Sequence, residues 1–362
     1  MATQPLPFDD VKRLAVRLGS DPDLVQGRSG TISVKESGLM WVRAEVASLA
    51  IAEQSDIFIP LRLDKVLSGI GTDVDDPTEQ ATLEAELGHE IDKVVRPFPF
   101  TALESLFAQR IVAQVTPPDL LAITVESNAE EILSERLEGL RWAFAPLASP
   151  GAPLNRAAAS ALGSTSDPPD ILILSHWGAA VGAPDCDALE TLIGELKRRL
   201  GRQARPVPAP DHGRLGTLLA ADDEWRLPAH GEIHALGRDT QSLDCCSKGF
   251  LTLGQAMALG LGPPAIEPEE TLWQAALRHE KAFRERPGYL IVPEAGVVVA
   301  ADLTPQTESL LAGFARMTLR IQDSENLAPF SVDDISHYLD WQRDRWREEA
   351  EQTETPRLNT NV

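Results

Sequence analysis

Two stretches of the chain, 118 residues apart, carry the same pattern. Ile171-Leu172-Ile173-Leu174-Ser175-His176-Trp177-Gly178-Ala179-Ala180-Val181 lines up with Tyr289-Leu290-Ile291-Val292-Pro293-Glu294-Ala295-Gly296-Val297-Val298-Val299. Each reads as an apolar strand, a polar turn closing on glycine, and a second apolar strand. A helix follows in both, with Glu190-Thr191-Leu192-Ile193 matching Glu308-Ser309-Leu310-Leu311. The echo fits a duplicated unit, and it also fits two ordinary hairpins that agree in pattern. Either way the chain must bury two hairpins under helices.

The 362 residues suffice for one large or two ordinary domains, and an apolar fraction of 43% lets most of them fold. A net charge of −22 disfavours nucleic acid and anionic membranes, whose phosphates call for a basic surface. No apolar run approaches the ~18–20 residues that span a bilayer, and the N-terminus lacks a basic start with an apolar core. A cytoplasmic chain is expected. Cys186, Cys245 and Cys246 match neither zinc spacings nor ordinary disulfide patterns, which fits reduced structural thiols.

Periodicity predicts a helix over Phe8–Leu18, then strands Thr31–Lys35 and Leu39–Ala44 about a Ser37-Gly38 turn. A helix over Val46–Glu53, a strand Ile57–Pro60, and helices Thr78–Val95 and Ala102–Gln109 come next. Strand Ile111–Val115 halts at Pro117-Pro118, an element starts at Asp119–Val125, and helices cover Ala157–Leu162 and Asp187–Leu200. Pro206–His212 is the linker candidate. Strands are expected near Phe250–Leu253 and Ala256–Leu261, and helices over Leu272–Arg284, Thr304–Ile321 and Val332–Gln352, the last capped by Ser331.

Residues Leu14–Val34, with Lys35 and Trp41-Val42, resemble the opening of the class II aldolase/adducin family, in its longer, rhamnulose-phosphate-aldolase-like branch. The resemblance continues through Arg96-Pro97, Ile111–Val115, Ile171–Gly182 and Asp185–Leu200, and reaches Trp225–Ala229, His234–Leu236, Leu290–Pro293 and Leu339–Trp341. It implies an α/β fold of αβα layers with a predominantly antiparallel sheet over residues 1–205, a smaller C-terminal α/β part over 206–350 and a polar tail over 351–362. It also implies a homo-oligomer.

In that family three histidines hold a divalent, zinc-type metal, which acts as a Lewis acid on a sugar phosphate. The corresponding positions here are Gln114, Thr116 and His176. An amide, a hydroxyl and one imidazole make a poor zinc site. The proton-carrying carboxylate falls on Phe100, which cannot exchange a proton. The phosphate loop's asparagine falls on Thr31 and a later Ser-Gly pair on Glu45-Val46; Gly27, Gly30, Ser33 and Lys35 remain as candidate ligand-binding residues, joined by Trp177.

His176 is thus either a surviving metal ligand or a hydrogen-bonded turn residue. His230 and His234, spaced four apart, and Glu294 are candidate substitutes, each with an ordinary structural role open to it. The Gly27–Gly30 backbone either binds an anion or makes a tight turn. Carboxylates in Asp73–Glu90 lack an EF-hand spacing, and no G-x-S-x-G marks a hydrolase. Three functions follow: a non-catalytic, adducin-like binding or scaffold protein without a cofactor; an altered metal-dependent lyase; or a new small-ligand pocket lined by Phe98, Phe100 and Trp177.

Overall fold

The computed structural model describes residues 8–79, 81–82, 96–164, 167–249, 251–252, 254–255, 259–260, 264–331, 333 and 339–340. The expected helices Thr78–Val95 and Val332–Gln352 and the tail 351–362 lie wholly or largely outside those residues; of the expected strands Phe250–Leu253 and Ala256–Leu261, the described residues 251–252 and 259–260 are not strand.

Helix α1 (Phe8–Ser20) buries Phe8, Val11, Leu14, Ala15 and Leu18 on one stripe, as its period requires. Phe8 meets Trp41 and Phe58 edge-on, with ring centroids 5.9 and 4.8 Å apart. Strands β1 (Thr31–Glu36) and β2 (Leu39–Arg43) form a hairpin through Ser37 and Gly38, both at positive φ, the requirement of a two-residue turn that follows the strand twist. β3 is Phe58–Arg62, followed by helix α2 (Leu63–Ile70). The 46–53 region holds only a 3₁₀ turn, Leu49–Ile51, and the segment expected as helix Ala102–Gln109 is a 3₁₀ helix over Pro99–Leu106.

β4 (Ile111–Val115) leads to α3 (Pro118–Thr124), α4 (Ala129–Arg136), β5 (Trp142–Ala145) and α5 (Ala152–Gly163). The first echoed hairpin is β6 (Ile171–Leu174) with β7 (Gly178–Ala183), and α6 (Cys186–Leu200) follows, capped by Asp185. These strands form one sheet ordered β3-β2-β1-β4-β7-β6-β5. Every pairing is antiparallel except β5 with β6. The period-2 geometry of strands sorts the side chains. Ile111, Ala113, Ile171, Ile173 and Val181 face the layer of α1, α4 and α6; Val112, Leu172, Leu174 and Ala180 face α5 and the 3₁₀ helix with Phe100, Leu103 and Phe107. The result is three αβα layers.

After α7 (His212–Leu219), β8 (Trp225–Arg226) and the short helices α8 (Ala235–Arg238) and α9 (Thr240–Ser247) comes α10 (Leu272–Phe283), opened by a Thr271–Gln274 capping box. The second echoed hairpin, β9 (Tyr289–Val292) with β10 (Gly296–Ala300), joins β8 in a three-stranded sheet ordered β8-β10-β9, and α11 (Pro305–Thr318) follows.

The echo is conformational as well as sequential. Leu174 pairs with Gly178 and Val292 with Gly296; φ is 63° at His176 and 65° at Glu294, 139° at Gly178 and 141° at Gly296. In both, the residue after the left-handed position donates its N–H three residues back, Trp177 to Leu174 and Ala295 to Val292. The left-handed third residue, with proline second in the later copy, is the signature of a type II turn.

Glycine is required at the turn's exit, because a Cβ on Gly178 would stand 2.4 Å from Val115 O. Gly178→Ala is therefore expected to cost about 3 kcal/mol or more, from positive-φ strain and from prising β7 off β4, read as a lower urea midpoint.

Candidate functional site

The positions that the resemblance sets against the metal ligands and the proton carrier come together at one face of the larger sheet. Gln114 and Thr116 share the face of Val112 at the end of β4, and His176 tops the adjacent hairpin. Each donor atom is already engaged.

His176 is 2% exposed. Its Nε2 bonds the carbonyl of Ala328, which can only accept, so Nε2 carries the proton. Nδ1 then accepts from the Ser175 hydroxyl at 2.7 Å, a shorter path for that proton than Thr124 O at 3.2 Å. The ring lies edge-on to Phe330, centroids 5.1 Å apart. Burial pulls the imidazole down to about 4, although the Ala328 bond acts the other way, so it is neutral at pH 7.

The Gln114 amide gives Nε2–H to Phe100 O and to Glu104 Oε1, both at 2.9 Å, and accepts Trp177 Nε1–H at 3.2 Å. Thr116 Oγ1 bonds Gln26 Oε1 at 2.9 Å and Ser29 Oγ at 2.8 Å. A metal would have to strip donors from satisfied bonds, and two of the three positions offer neither nitrogen base nor thiolate. The residues present do not fit a zinc-type centre. Among the described residues no group of three or more His, Cys, Asp or Glu is placed to hold a metal.

His230, His234 and Glu294 bring no substitute. His234 Nδ1 accepts the Val297 N–H at 3.2 Å, where Gly296 closes over the ring, and its burial lowers its pKa. His230 precedes a 3₁₀ turn, Gly231–His234, so the pair does not share an α-helical face. Glu294 is exposed, with its main chain bonded to Gly237 and Arg238.

The loop that the resemblance sets against a phosphate cradle is built differently. A family-type cradle points N–H groups at an anion. Here four carbonyl oxygens converge on an internal cation, the Arg43 guanidinium: Nη1 donates to Ala44 O and Glu45 O at 3.0 Å and to Ala47 O, and Nη2 donates to Arg28 O at 2.9 Å. The Phe98 ring stacks on it at 4.6 Å. Arg43 is fully buried; burial brings it down to about 10, so it remains charged at neutral pH. Gly27 donates its N–H to Ser309 Oγ at 3.2 Å, at the edge of a cleft of about 300 Å³ shared with Pro305 and Gln306 of α11. Gly30 packs against Val25.

Thr31, Ser33 and Lys35 line one face of β1 and meet a residue that the sequence motifs pass over. Glu104, on the 3₁₀ helix one turn beyond Phe100, is wholly buried. Its Oε1 accepts from Thr31 Oγ1 and Gln114 Nε2. Ser33 lies beside the carboxyl, yet Ser33 Oγ and Glu104 Oε2 both lack a partner of good geometry among the described residues. Burial raises the carboxyl to about 7, against the pull of these hydrogen bonds and of Lys35. Lys35 Nζ donates to Glu104 O at 2.8 Å and to Phe107 O, and burial lowers it to about 8. One signal was available: Glu104 is the sole ionisable residue between Pro97 and Phe107.

Phe98, Phe100 and Trp177 do come together, but as packed rings. Phe98 and Phe100 are 5.5 Å apart and Phe100 and Trp177 4.0 Å, between centroids. With Phe330 and Leu103 they belong to the core of this face.

No family model and no curated protein matches the sequence. Solved structures are similar to it. The N-terminal class II aldolase domain of a conserved protein from Thermoplasma acidophilum gives a TM-score of 0.44 at 18% identity, covering 55% of this chain and 94% of that one. L-fuculose-1-phosphate aldolase from Thermus thermophilus gives 0.34 at 12%, over 53% and 90%. A sugar-phosphate aldolase from Thermotoga maritima gives 0.35 at 11%, over 53% and 92%. Each of these likenesses covers about half of this chain, whose α/β fold stands on its own sheet topology.

Proposed function

We propose that this chain is a non-catalytic, adducin-like protein that binds a partner, its aldolase-type metal and phosphate sites rebuilt as packed core. The observation that carries the reading is His176: one ring nitrogen donates to Ala328 O, the other accepts from Ser175, and neither is left for a metal. Arg43 supports it independently, since its terminal nitrogens are taken up by loop carbonyls and are not free to hold a phosphate. A cytoplasmic setting goes with the reading, supported by three unpaired thiols, Cys186, Cys245 and Cys246. So does a C-terminal part beginning near residue 206, supported by the separate three-stranded sheet.

The test is metal analysis of purified protein together with a retro-aldol assay across phosphorylated sugars, with zinc, cobalt and manganese supplied. Substoichiometric metal and no metal-dependent turnover are expected; one tightly held zinc per chain would overturn the reading.

One observation favours a second reading, an altered lyase. Glu104, raised to about 7, offers a proton carrier near neutrality beside Gln114. That reading predicts turnover that is lost in Glu104→Gln, and it requires an electrophile that Gln114 and Thr116 do not provide.

A further inference from the structure

The His176 turn is covered by a segment from far along the chain. After a 3₁₀ turn at Ser324–Asn326, Leu327 bridges to Glu126 in antiparallel fashion, and Ala328 gives its N–H to Val125 O at 2.9 Å. Ala328 O takes the His176 proton, Pro329 has no N–H to leave unpaired, and the Phe330 ring drops beside His176 into the core. An extended peptide can be read in this way, by main-chain bonds about one bridge, here on the turn after α3, and by one side chain set into the core.

The cover is lightly held. Of residues 324–330 only Phe330 is buried. The approach to it combines Leu327, half-buried against the core of the second sheet, with polar contacts near solvent: Ser127 to Asn326, Asn326 to Asn128 at 2.7 Å and Lys248 to Glu325 at 2.7 Å. Nor does the hairpin need it: Glu294 adopts the same left-handed conformation in the second hairpin with its side chain exposed. The cover therefore occupies the turn without being what forms it.

We propose that the groove over the His176 turn is a peptide-binding surface, closed in cis by residues 327–330, which accepts an extended segment of a partner polypeptide offering a main-chain carbonyl to His176 and an aromatic ring two residues later. The proposal rests on the non-catalytic reading and names the class of partner. The cis segment states the specificity, since its carbonyl at Ala328 and its ring at Phe330 have that spacing. A partner segment must displace it, and a tethered occupant competes at an effective concentration on the order of millimolar.

The experiment uses the full chain and a fluorescent synthetic peptide of residues Gln322–Ser331. Phe330→Ser, which weakens the cis occupant, should bind the peptide at least about tenfold more tightly than the unaltered chain, as loss of millimolar competition requires. A peptide with serine in place of its phenylalanine should bind at least about tenfold more weakly, since the ring supplies the pocket contact. A folded Phe330→Ser chain that binds neither peptide, or both equally, overturns the proposal.

Hydrogen exchange on the unaltered chain is the check that needs no variant. The amides of Ser127 and Ala328, which bond across the cover, should exchange at least about a hundredfold faster than those of β4, because local opening precedes global unfolding. Equal protection in the two places would overturn it. Stoichiometric zinc with turnover would remove the non-catalytic reading, whereas failed peptide binding in metal-free, inactive protein removes this proposal alone.

Discussion

Replacing Arg43 by alanine is expected to lower folding stability by about 3–5 kcal/mol, the cost of breaking a buried charge site whose two terminal nitrogens are hydrogen-bonded. The loss has two parts. The carbonyls of Arg28, Glu45 and Ala47 lose the guanidinium donor together, while Ala44 O keeps the Ala47 N–H, and an acceptor left unpaired away from water costs about 1–3 kcal/mol. Phe98 also loses the guanidinium stacked on its face. Arg43→Lys should recover little, because an ammonium has three donors on a flexible stem and cannot span carbonyls from two loops. Urea denaturation of the three proteins side by side measures this. Near-equal midpoints for Arg43→Ala and the parent would show that the cage is not structural.

The second large effect is electrostatic and is hidden in the parent protein. Glu104 holds its proton in the folded chain up to about 7, against 4.5 unfolded. Its stabilising contribution is full below 4.5 and is lost as pH rises through 7, a loss of about 3 kcal/mol. Lys35 and Arg43, the cations nearest it, stay protonated throughout that window. His176 runs the other way. Its folded value is about 4 against 6.5 unfolded, so its contribution is full above 6.5 and is lost as pH falls toward 4, again about 3 kcal/mol. The two slopes nearly cancel between pH 4.5 and 6.5.

Single substitutions should uncover them. Glu104→Gln should gain on the parent at pH 8 and lose stability steadily on acidification, exposing the His176 slope. His176→Asn, a residue that tolerates left-handed backbone, should instead gain stability as pH falls from 7 to 5. Stability curves of the three proteins against pH that stay parallel would refute both assignments.

Much of this architecture could be read from residue periodicity. Helix α1, the β1–β2 hairpin, β4, both echoed hairpins and the helices after them announce themselves through apolar stripes or runs closed by glycine. The departures have separate local causes. The region 46–53 has helix-forming residues, yet the carbonyls of Ala44, Glu45 and Ala47 are drawn to Arg43, which leaves a 3₁₀ turn. At Pro99–Leu106 the helix is wound tighter than periodicity anticipates, with prolines at 97 and 99 at its entrance. Helices α2 and α4 and strand β5 are short, and β5 pairs in parallel with a strand 26 residues beyond its end, a contact with no local signature.

The site was legible as a set of positions and illegible as an arrangement. Sequence placed Gln114, Thr116 and His176 together, and it marked Phe100 as unable to move a proton. It gave no sign that Ala328 O would meet His176, a bond spanning 152 residues. The spacing pointed at Phe100 and away from Glu104, one turn further on. Arg43 looked like an ordinary strand end, since nothing in Leu39–Ala44 tells a buried guanidinium from an exposed one.

The central claim is that His176 serves the fold rather than a metal, and the nitrogen resonances of its imidazole test that most directly. In isotope-labelled protein at pH 7 the account predicts a neutral ring protonated at Nε2, with both nitrogen shifts unchanged when an equivalent of zinc is added. A zinc-dependent displacement of either nitrogen that saturates at one metal per chain would contradict it.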